Sequence, residues 1–396
     1  MRLPFFGGRA VAPAIEAKAS RTAALIAFDG GGRAAWTPRD YAALAREGFA
    51  RNPIVYRSVR MVAEAVASVP WLLYDGDDEI DRHPLLALLA RPSRLQAGVA
   101  FRETLVGQLL VAGNAYVEAV ELDGTVRELH ALRPDRMKVL PGGDGWPAGY
   151  EYSVAGRTVR FADPGDGGLP PILHLSFFHP LNDHYGFAPI EAAATALDIH
   201  NAAGAWNKAL LDNSARPSGA LVYQAKEGGN LSQEQYERLK EELEASFVGA
   251  AHAGRPLLLE GGLDWKALSL SPKDMDFMAA KDGAAREIAL AFGVPPMLLG
   301  IPGDNTYANY QEANRAFWRQ TVLPLCGRLA EALGGWLAPA FGDGDGGQGL
   351  RLWYDADQVE ALSSEREALW ARLGAADFLT VDEKRAAVGY GPVEGG

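Results

Sequence analysis

Residues 287–300 read EIALAFGVPPMLLG, and this stretch marks the end of one helix and the beginning of a long turn. Gly293 and the two prolines that follow it are typical helix terminators. Glycine readily adopts the left-handed conformation after a helix, and proline cannot continue one. The stretch therefore predicts that a helix over residues 272–293 is followed by a turn-rich loop over residues 296–308.

A long helix is predicted downstream, over residues 309–341. Its apolar positions recur at helical spacing, at Tyr310, Ala313, Phe317, Leu325, Leu329, Leu333 and Trp336. Pro324 lies in the middle of this segment. Because a proline removes one backbone hydrogen bond and clashes with the preceding turn, it should kink the helix.

Upstream, an alanine-rich helix over residues 187–213 and the helix before Gly293 flank a small α/β segment at 214–271. Within that segment, a capping-box pattern at Ser232 begins a helix with many charged side chains. These side chains are Glu234, Glu237, Arg238, Glu241 and Glu242. Such a charged face is either solvated or a docking surface for another protein, and the pattern leaves both open.

Residues 36–186 are predicted to form an α+β region with mostly antiparallel strands. Asn52 caps a helix that begins at Pro53, and valines follow at spacings of three and four residues. Asp123-Gly124 is a strong two-residue hairpin signal, and Ala155-Gly156 is a weaker one.

The two ends of the chain are less strongly patterned. Residues 1–35 are rich in alanine, glycine and arginine, and they are predicted to form a flexible arm. They lack the continuous apolar run of a signal peptide. Residues 342–396 are predicted to form a glycine-rich linker, a strand and short charged helices.

The composition excludes several classes of protein. The 396 residues include 38 basic and 50 acidic side chains, a net charge of −12, which argues against a static binder of nucleic acid. The single cysteine, Cys326, excludes a disulfide framework and a multi-cysteine metal site. No window approaches the roughly 18 apolar residues of a membrane span, so no membrane partner is expected.

A search for catalytic motifs finds little. Gly342, Gly344 and Gly347 match the dinucleotide-loop spacing, but a helix precedes them and a strand follows, so a linker is favoured. No P-loop, H-E-x-x-H or G-x-S-x-G motif is present. Cys326 is expected to be buried on an apolar helix face.

One group of side chains could hold a metal ion. Three imidazoles and a carboxylate close together in the sequence are a donor set that zinc accepts. They are His174, His179, Asp183 and His184. The plainer interpretation is a strand end followed by a polar turn, because proximity in the sequence does not by itself make ligands converge.

The order of these elements resembles the HK97-like portal proteins of tailed bacteriophages, from about residue 52 to residue 395. The segments that carry the resemblance are NPIVY at 52–56, VPWLLY at 69–74, HPLL at 83–86, GNAYV at 113–117, GFAPI at 186–190, NSARPSG at 213–219, residues 287–300, and LTVDEKR at 379–385. The alanine- and glycine-rich character and the modest length are similar to the portals of gene transfer agents, which are phage-derived particles of some bacteria.

This resemblance implies an α+β portal fold with wing, stem, clip and short crown, assembled as a ring around a central channel. The implied segments are a wing over 36–186 and 309–341, stem helices over 187–213 and 272–295, a clip over 214–271, a tunnel loop over 296–308 and a short crown within 342–396. The tunnel residues facing DNA would be Asp304, Asn305, Thr306, Tyr307 and Asn309. The charged helix after Ser232 would be the clip surface that meets the terminase or the adaptor.

The resemblance also implies a function and partners. The ring, usually of twelve subunits, would occupy one vertex of the capsid in the virion after assembly in the bacterial cytoplasm. The terminase would package double-stranded DNA through the ring, and the DNA would later be ejected by the same route. The expected partners are further copies of the chain, the major capsid protein, the terminase large subunit and an adaptor or tail protein. No enzyme activity, metal or cofactor is implied.

Two other functions remain open at this point. One is a soluble metal-dependent enzyme that uses His174, His179 and His184. The other is a head–tail connector, which also forms a ring but usually from much shorter subunits.

Overall fold

The computed structural model describes most of the chain from residue 36 onward. The described residues are 36–76, 78–143, 145–162, 164–165, 168–212, 219–223, 234, 237–238, 263–267, 277–303, 306–342, 349–389, 391 and 393. Residues 37–396 are grouped in one compact unit. The flexible arm predicted for residues 1–35 lies outside the described part.

The described elements are helices and short antiparallel strands. The α-helices are α1 (Tyr41–Leu44), α2 (Pro53–Ser68), α3 (Pro84–Ala90), α4 (Gly98–Ala112), α5 (Pro189–Ala192), α6 (Ala194–Asp212), α7 (Phe277–Ala291), α8 (Tyr307–Phe317), α9 (Leu323–Phe341), α10 (Ser363–Gly374) and α11 (Val381–Ala387). The strands are β1 (Trp71–Asp75), β2 (Asp78–Glu79), β3 (Asn114–Leu122), β4 (Thr125–Leu132), β5 (Met137–Pro141), β6 (Pro147–Val154), β7 (Arg157–Ala162), β8 (Ile172–Ser176), β9 (Gly219–Tyr223), β10 (Leu263–Ala267) and β11 (Leu350–Tyr354).

The helix predicted after Asn52 is confirmed. The Asn52 side chain accepts hydrogen bonds from the backbone N–H groups of Ile54 and Val55, at 3.0 and 3.2 Å. The four valines predicted to share a face of α2 are all buried. This face packs against α4 in the main hydrophobic core.

Both predicted hairpins are present. Asp123 and Gly124 have φ of 52° and 70°, and Ala155 and Gly156 have φ of 49° and 77°. Two positive φ values in succession are typical of the tight turn whose twist suits a two-residue hairpin. The turns connect β3 to β4 and β6 to β7 in two three-stranded sheets, ordered β4-β3-β8 and β5-β6-β7.

The strand predicted within residues 342–396 is β11, and it is part of a sheet with β1. β11 pairs antiparallel with β1, so Leu352 faces Leu73, and both side chains are buried. β11 also packs on α9. The helices after it, α10 and α11, contain no fully buried residue.

Two predicted helices differ in detail from the structure. The helix predicted over residues 187–213 is divided at Ala193 into α5 and α6. The helix predicted from residue 309 begins at Tyr307 and is interrupted by a π-helical turn at Trp318–Val322, so Pro324 lies at the start of α9. Pro324 has no N–H to donate, and in the turn before it the Leu323 N–H bonds to the Trp318 carbonyl, five residues back.

Candidate functional site

The segment between α7 and α8 contains the predicted tunnel loop and begins with a fixed helix end. Gly293 has φ of 66°, and the Thr321 hydroxyl donates to its carbonyl at 2.6 Å. A β-carbon at Gly293 would lie 2.6 Å from Thr321 Oγ1. The glycine that the sequence identifies as a terminator is therefore required both by its backbone conformation and by the close approach of the π-helical turn.

The first half of the predicted loop is folded rather than extended. Pro296–Leu299 form a 3₁₀ turn that ends at Gly300, which has φ of 72°. Ile301 is buried, and the Arg286 guanidinium donates to the Pro302 carbonyl. These contacts hold the chain against α7 as far as Gly303.

The second half of the predicted loop is the first turn of α8. The Thr306 hydroxyl caps this helix by accepting from the Asn309 N–H at 3.2 Å. Tyr307 is 79% exposed, and its hydroxyl accepts from the Gln311 amide at 3.1 Å. Thr306, Tyr307 and Asn309 thus lie at a helix start and not in a free loop, while Asp304 and Asn305 lie outside the described residues. Their contact with DNA stays a prediction.

The electrostatics of this segment are simple. No lysine or arginine occurs between Arg286 and Arg315. Arg286 is occupied by the Pro302 carbonyl, and Arg315 donates to Glu312. Among the described residues, the surface around the start of α8 includes the two exposed rings of Tyr307 and Tyr310 and the exposed Glu312 carboxylate.

The predicted clip surface is described only in part. Glu234, Glu237 and Arg238 are helical and exposed. Glu241 and Glu242 lie outside the described residues. The strands β9 and β10 pair antiparallel within the same segment, with Trp265 opposite Leu221. A docking role for these charges remains a prediction.

The histidines proposed as metal ligands occupy different environments. His174 stacks on Tyr116 with ring centroids 4.3 Å apart, and His179 contacts the Phe187 ring edge-on. His184 Nδ1 is buried and has no hydrogen-bond partner among the described residues. In the part of the chain that the structure describes, no group of three or more His, Cys, Asp or Glu side chains could hold a metal ion.

The hydrogen bonds of the Asn114 amide show which ring nitrogen of His174 carries the proton. Asn114 Nδ2 donates to the Ala112 carbonyl at 2.8 Å, and Oδ1 accepts from the Gly186 N–H at 2.8 Å. His174 Nε2, 3.0 Å from the same Oδ1, must therefore donate its proton there. Burial, with a smaller effect from His184, lowers the pKa of His174 to about 4. His174 is thus a neutral packing residue at neutral pH.

Two glycines make this arrangement possible. A β-carbon at Gly186 would lie 2.1 Å from the Gly113 carbonyl oxygen, and one at Gly113 would lie 2.4 Å from the Gly186 carbonyl oxygen. Gly113 also has φ of 70° at the end of α4. The motifs GNAYV and GFAPI therefore meet through their backbones.

Sequence reasoning missed a second amide network, which joins α2 to α6. Asn52 Nδ2 donates to His200 Nδ1 and to Asn201 Oδ1, both at 3.0 Å. Asn201 donates in turn to the Glu47 carbonyl at 2.9 Å. Burial, and to a lesser degree the charge of Lys281, lowers the pKa of His200. The capping role of Asn52 was visible in the sequence, but its partners 148 and 149 positions away were not.

The predicted burial of Cys326 is confirmed, and burial raises the pKa of its thiol to about 12. A thiol that stays protonated at neutral pH is a poor nucleophile. Within the described residues, no helix is both long and apolar enough to cross a membrane.

Comparison with known sequences supports a single family. The family model described as phage portal protein matches residues 53–389. An uncharacterized protein of Rickettsia bellii (strain RML369-C) is 41% identical over 353 residues, which are 88% of this chain and 89% of the relative. The portal protein of Enterobacteria phage HK97 is 26% identical over 86% of this chain and 79% of its own length.

Comparison with solved structures agrees. A chain in the neck of an empty GTA particle is 55% identical and has a TM-score of 0.72, covering 91% of this chain and 96% of that chain. A chain in the neck of a native GTA particle, computed with C12 symmetry, is 54% identical and has a TM-score of 0.69, covering 92% and 97%. The matching family model spans nearly all of the compact unit, and we conclude that this chain belongs to the phage portal protein family, in its HK97-like group.

Proposed function

We propose that this chain is the portal subunit of a gene transfer agent or a closely related phage particle. In this role, twelve copies form a ring at one capsid vertex, and DNA enters and leaves through the central channel. The observation that carries the proposal is the 54% identity, over 92% of the chain, to a protein in the C12 neck of a native GTA particle. The family is structural, and no enzyme reaction is assigned.

The segments have proposed roles within that ring. The wing comprises residues 36–186 and the helices α8 and α9, and the stem comprises α6 and α7, which pack against each other. Residues 214–271 are the clip, which would meet the terminase during packaging and an adaptor or tail protein afterwards. The crown is reduced to α10 and α11, because β11 is part of the wing sheet.

The charge pattern supports a channel that lets DNA slide through rather than a site that binds DNA tightly. Each lysine or arginine that neutralises a DNA phosphate adds affinity, so a channel through which DNA slides should carry few such contacts. The stretch between Arg286 and Arg315 carries none of these cations. With −12 per subunit, a ring of twelve would carry about −144, which disfavours tight retention of DNA.

The ring itself is tested by mass and imaging. Twelve copies of 42.4 kDa come to about 509 kDa, the expected mass in light scattering after size exclusion if the ring closes as family symmetry implies. Negative-stain images should show rings with a central hole. A monomer or dimer at all concentrations would contradict the proposal.

The channel role is tested by adding charge near the start of α8. Tyr307→Lys alters an exposed side chain and should leave the fold intact, whereas it should slow DNA packaging or ejection by adding a phosphate contact at each of twelve positions. The control is Leu122→Lys, at the end of β3, where the side chain is 62% exposed. Equal DNA filling in particles with either variant would count against a channel position for Tyr307.

A further inference from the structure

A cavity lies where the start of α2 meets the helices α6 and α7, and we call it the α2/α6 cavity. Its volume is about 440 Å³, within the range of pockets that hold a small ligand. Arg51 and Pro53 line it from the start of α2, and Lys281 lines it from α7. The rest of the described lining comes from α6.

The part of α6 that lines the cavity is one face of the helix. His200 and Asn201 lie at one end of this face, Lys208 lies at the other, and Gly204 and Ala205 lie between them. Residues three and four apart are neighbours on a helix surface, so these positions share a side. A β-carbon added at Gly204 would meet nothing within 4 Å. The two small residues therefore leave an open space between polar side chains.

The charges that line this cavity are positive. Arg51, Lys208 and Lys281 line it, and no aspartate or glutamate is among its described lining residues. The Glu47 carboxylate lies outside the lining and pairs with Arg51 Nη1 at 2.6 Å. Because a guanidinium has five N–H donors, this pair leaves the Nε and Nη2 donors of Arg51 for another acceptor.

His200 adds a neutral donor whose proton position is fixed. Asn52 Oδ1 accepts from two backbone N–H groups, so Nδ2 is the atom that faces His200 Nδ1 at 3.0 Å. An amide nitrogen only donates, so Nδ1 accepts and neutral His200 carries its proton on Nε2. His200 is 7% exposed, and its Nε2 is not among the polar atoms shielded from solvent. Because His200 lines the cavity, the Nε2 proton is available to a ligand there.

The electrostatic environment of His200 also favours an anion in the cavity. Burial is the main cause that lowers the pKa of His200, the charge of Lys281 comes second, and the opposing effect of Asp282 is smaller. The cavity lies at the N-terminus of α2, where the helix dipole is positive. This local excess of positive charge occurs in a chain whose net charge is −12.

A phosphate group fits these donors better than a carboxylate does. Its charge of about −1.5 to −2 matches more than one cation, and its oxygens can accept from a guanidinium fork and an ammonium together. No phenylalanine, tyrosine or tryptophan is among the described lining residues, so the cavity offers no aromatic surface for a nucleobase.

We propose that the α2/α6 cavity binds a phosphate group, which Arg51, Lys281 and the Nε2–H of His200 hold together. The phosphate comes either from free inorganic phosphate or from the backbone of DNA. This inference goes beyond the proposed function and depends only on the geometry of a single subunit.

Isothermal titration calorimetry with inorganic phosphate tests the site in the purified full-length protein. Lys281→Gln should weaken phosphate binding about tenfold or more, because one charge-assisted hydrogen bond is lost. Lys138→Gln is the matched control, since Lys138 is an exposed lysine on β5, and it should bind phosphate as the parent protein does. No phosphate binding by the parent protein, or equal affinity in the two variants, would overturn the site.

A second pair of variants tests the cavity without removing a cation. Gly204→Glu adds a carboxylate beside the phosphate position, and Gly204→Gln adds nearly the same volume without the charge. Both variants should fold, because the β-carbon has open space and both residues are better helix formers than glycine. Phosphate affinity should be lower in Gly204→Glu than in Gly204→Gln. Equal affinity in these two variants would contradict an anion site.

Binding of a short DNA duplex identifies the source of the phosphate. The comparison is made at one salt concentration, because the affinity of DNA depends steeply on salt. Weaker duplex binding by Lys281→Gln than by Lys138→Gln would assign the site to backbone phosphates. Equal duplex binding, with the expected loss of inorganic phosphate, would assign it to free phosphate. Failure of the site would leave the portal role standing, since light scattering and imaging test the ring separately.

Discussion

The body of the molecule and its C-terminal helices differ in how they are stabilised. In the body, α2, α4 and α9 each bury a continuous face in one core, and two amide networks join distant elements through buried hydrogen bonds. By contrast, α10 and α11 bury no residue within the subunit. Glu365 of α10 pairs with Arg319 of the body at 3.3 Å, the cap of α11 is local, and Trp370 and Val381 are about half exposed.

This difference predicts different local stabilities for the two regions. The hydrophobic effect is roughly proportional to the apolar area removed from water, so helices without a fully buried side chain gain less from packing than the helices of the core. Helices of 12 and 7 residues are also too short to be stable alone in water. We therefore expect α10 and α11 to open locally in the monomer at a lower free energy than the body.

The largest effect should come from breaking the backbone contact within the body. In Gly186→Ala, the new β-carbon would meet the Gly113 carbonyl oxygen at 2.1 Å and the Phe177 nitrogen at 2.6 Å. Backbone atoms cannot move aside cheaply, so the free energy of unfolding should fall by about 4 kcal/mol or more. Urea unfolding measures this change.

Gly107→Ala is the matched control for that substitution. A β-carbon at Gly107, in the middle of α4, would meet nothing within 4 Å. Alanine is favoured over glycine inside a helix by up to about 1 kcal/mol, so this variant should be slightly more stable. If both glycine variants unfolded at the same urea concentration, the close contact at Gly186 would be refuted.

A somewhat smaller effect should follow from acidification of the body. The pKa of His174 is about 4 in the folded protein, against 6.5 when unfolded, so only the unfolded state takes up the proton between these values. Stability should therefore be unaffected above pH 6.5 and fall by about 3 kcal/mol as the pH drops from 6.5 to 4.

His174→Gln isolates this contribution from other acid effects. Glutamine can still donate a proton to Asn114 but does not titrate in this range. The variant should lose less stability than the parent protein between pH 7 and pH 4, as measured by urea unfolding at each pH. Parallel losses in the two proteins would show that His174 does not contribute.

A moderate effect is expected at the Asn52 network. Asn52→Ala removes a helix cap and leaves His200 Nδ1 and the Asn201 carbonyl oxygen without their donor. The cap contributes about 1 kcal/mol and the buried partners about as much again, so stability should fall by about 2–3 kcal/mol. A loss below 1 kcal/mol in thermal unfolding would mean that water replaces the amide.

The smallest effect is predicted for the equivalent cap in the C-terminal helices. Thr380 accepts from the Glu383 N–H at 3.2 Å, and Glu383 returns a hydrogen bond to the Thr380 N–H at 2.8 Å. In monomers, Thr380→Ala should speed amide exchange in α11 about fivefold, equivalent to about 1 kcal/mol, without changing global unfolding. A shift in global unfolding equal to that of Asn52→Ala would show that α11 is part of the body.

The local elements were largely predictable because their signals are local. The Asn52 cap, the Asp123-Gly124 turn and the Gly293 stop each depend on residues within a few positions, and the structure confirms all three. The π-helical turn was not predicted, since Pro324 signals an interruption but not its form. The pairing of β11 with β1 was also missed, because Trp71 and its partner Tyr354 lie 283 positions apart in the sequence.

Some features of the candidate site were likewise predictable from the sequence, and others were not. The sequence alone showed the family resemblance. It also showed that no lysine or arginine lies between Arg286 and Arg315. That Thr306 caps α8, and that Tyr307 therefore lies on a helix, required the coordinates, because a polar residue in a turn-rich stretch suits a loop equally well. The coordinates were also needed to show that His174, His179 and His184 occupy different environments.

The sequence alone determined the α+β class, most helix ends, both hairpins and the portal family, since all of these follow from local backbone preferences and an ordered set of short motifs. Only the tertiary structure decided which polar groups are satisfied by distant partners. Hydrogen bonds such as those from Asn52 to His200 and from the Gly186 N–H to Asn114 depend on atoms brought together by packing of the whole core.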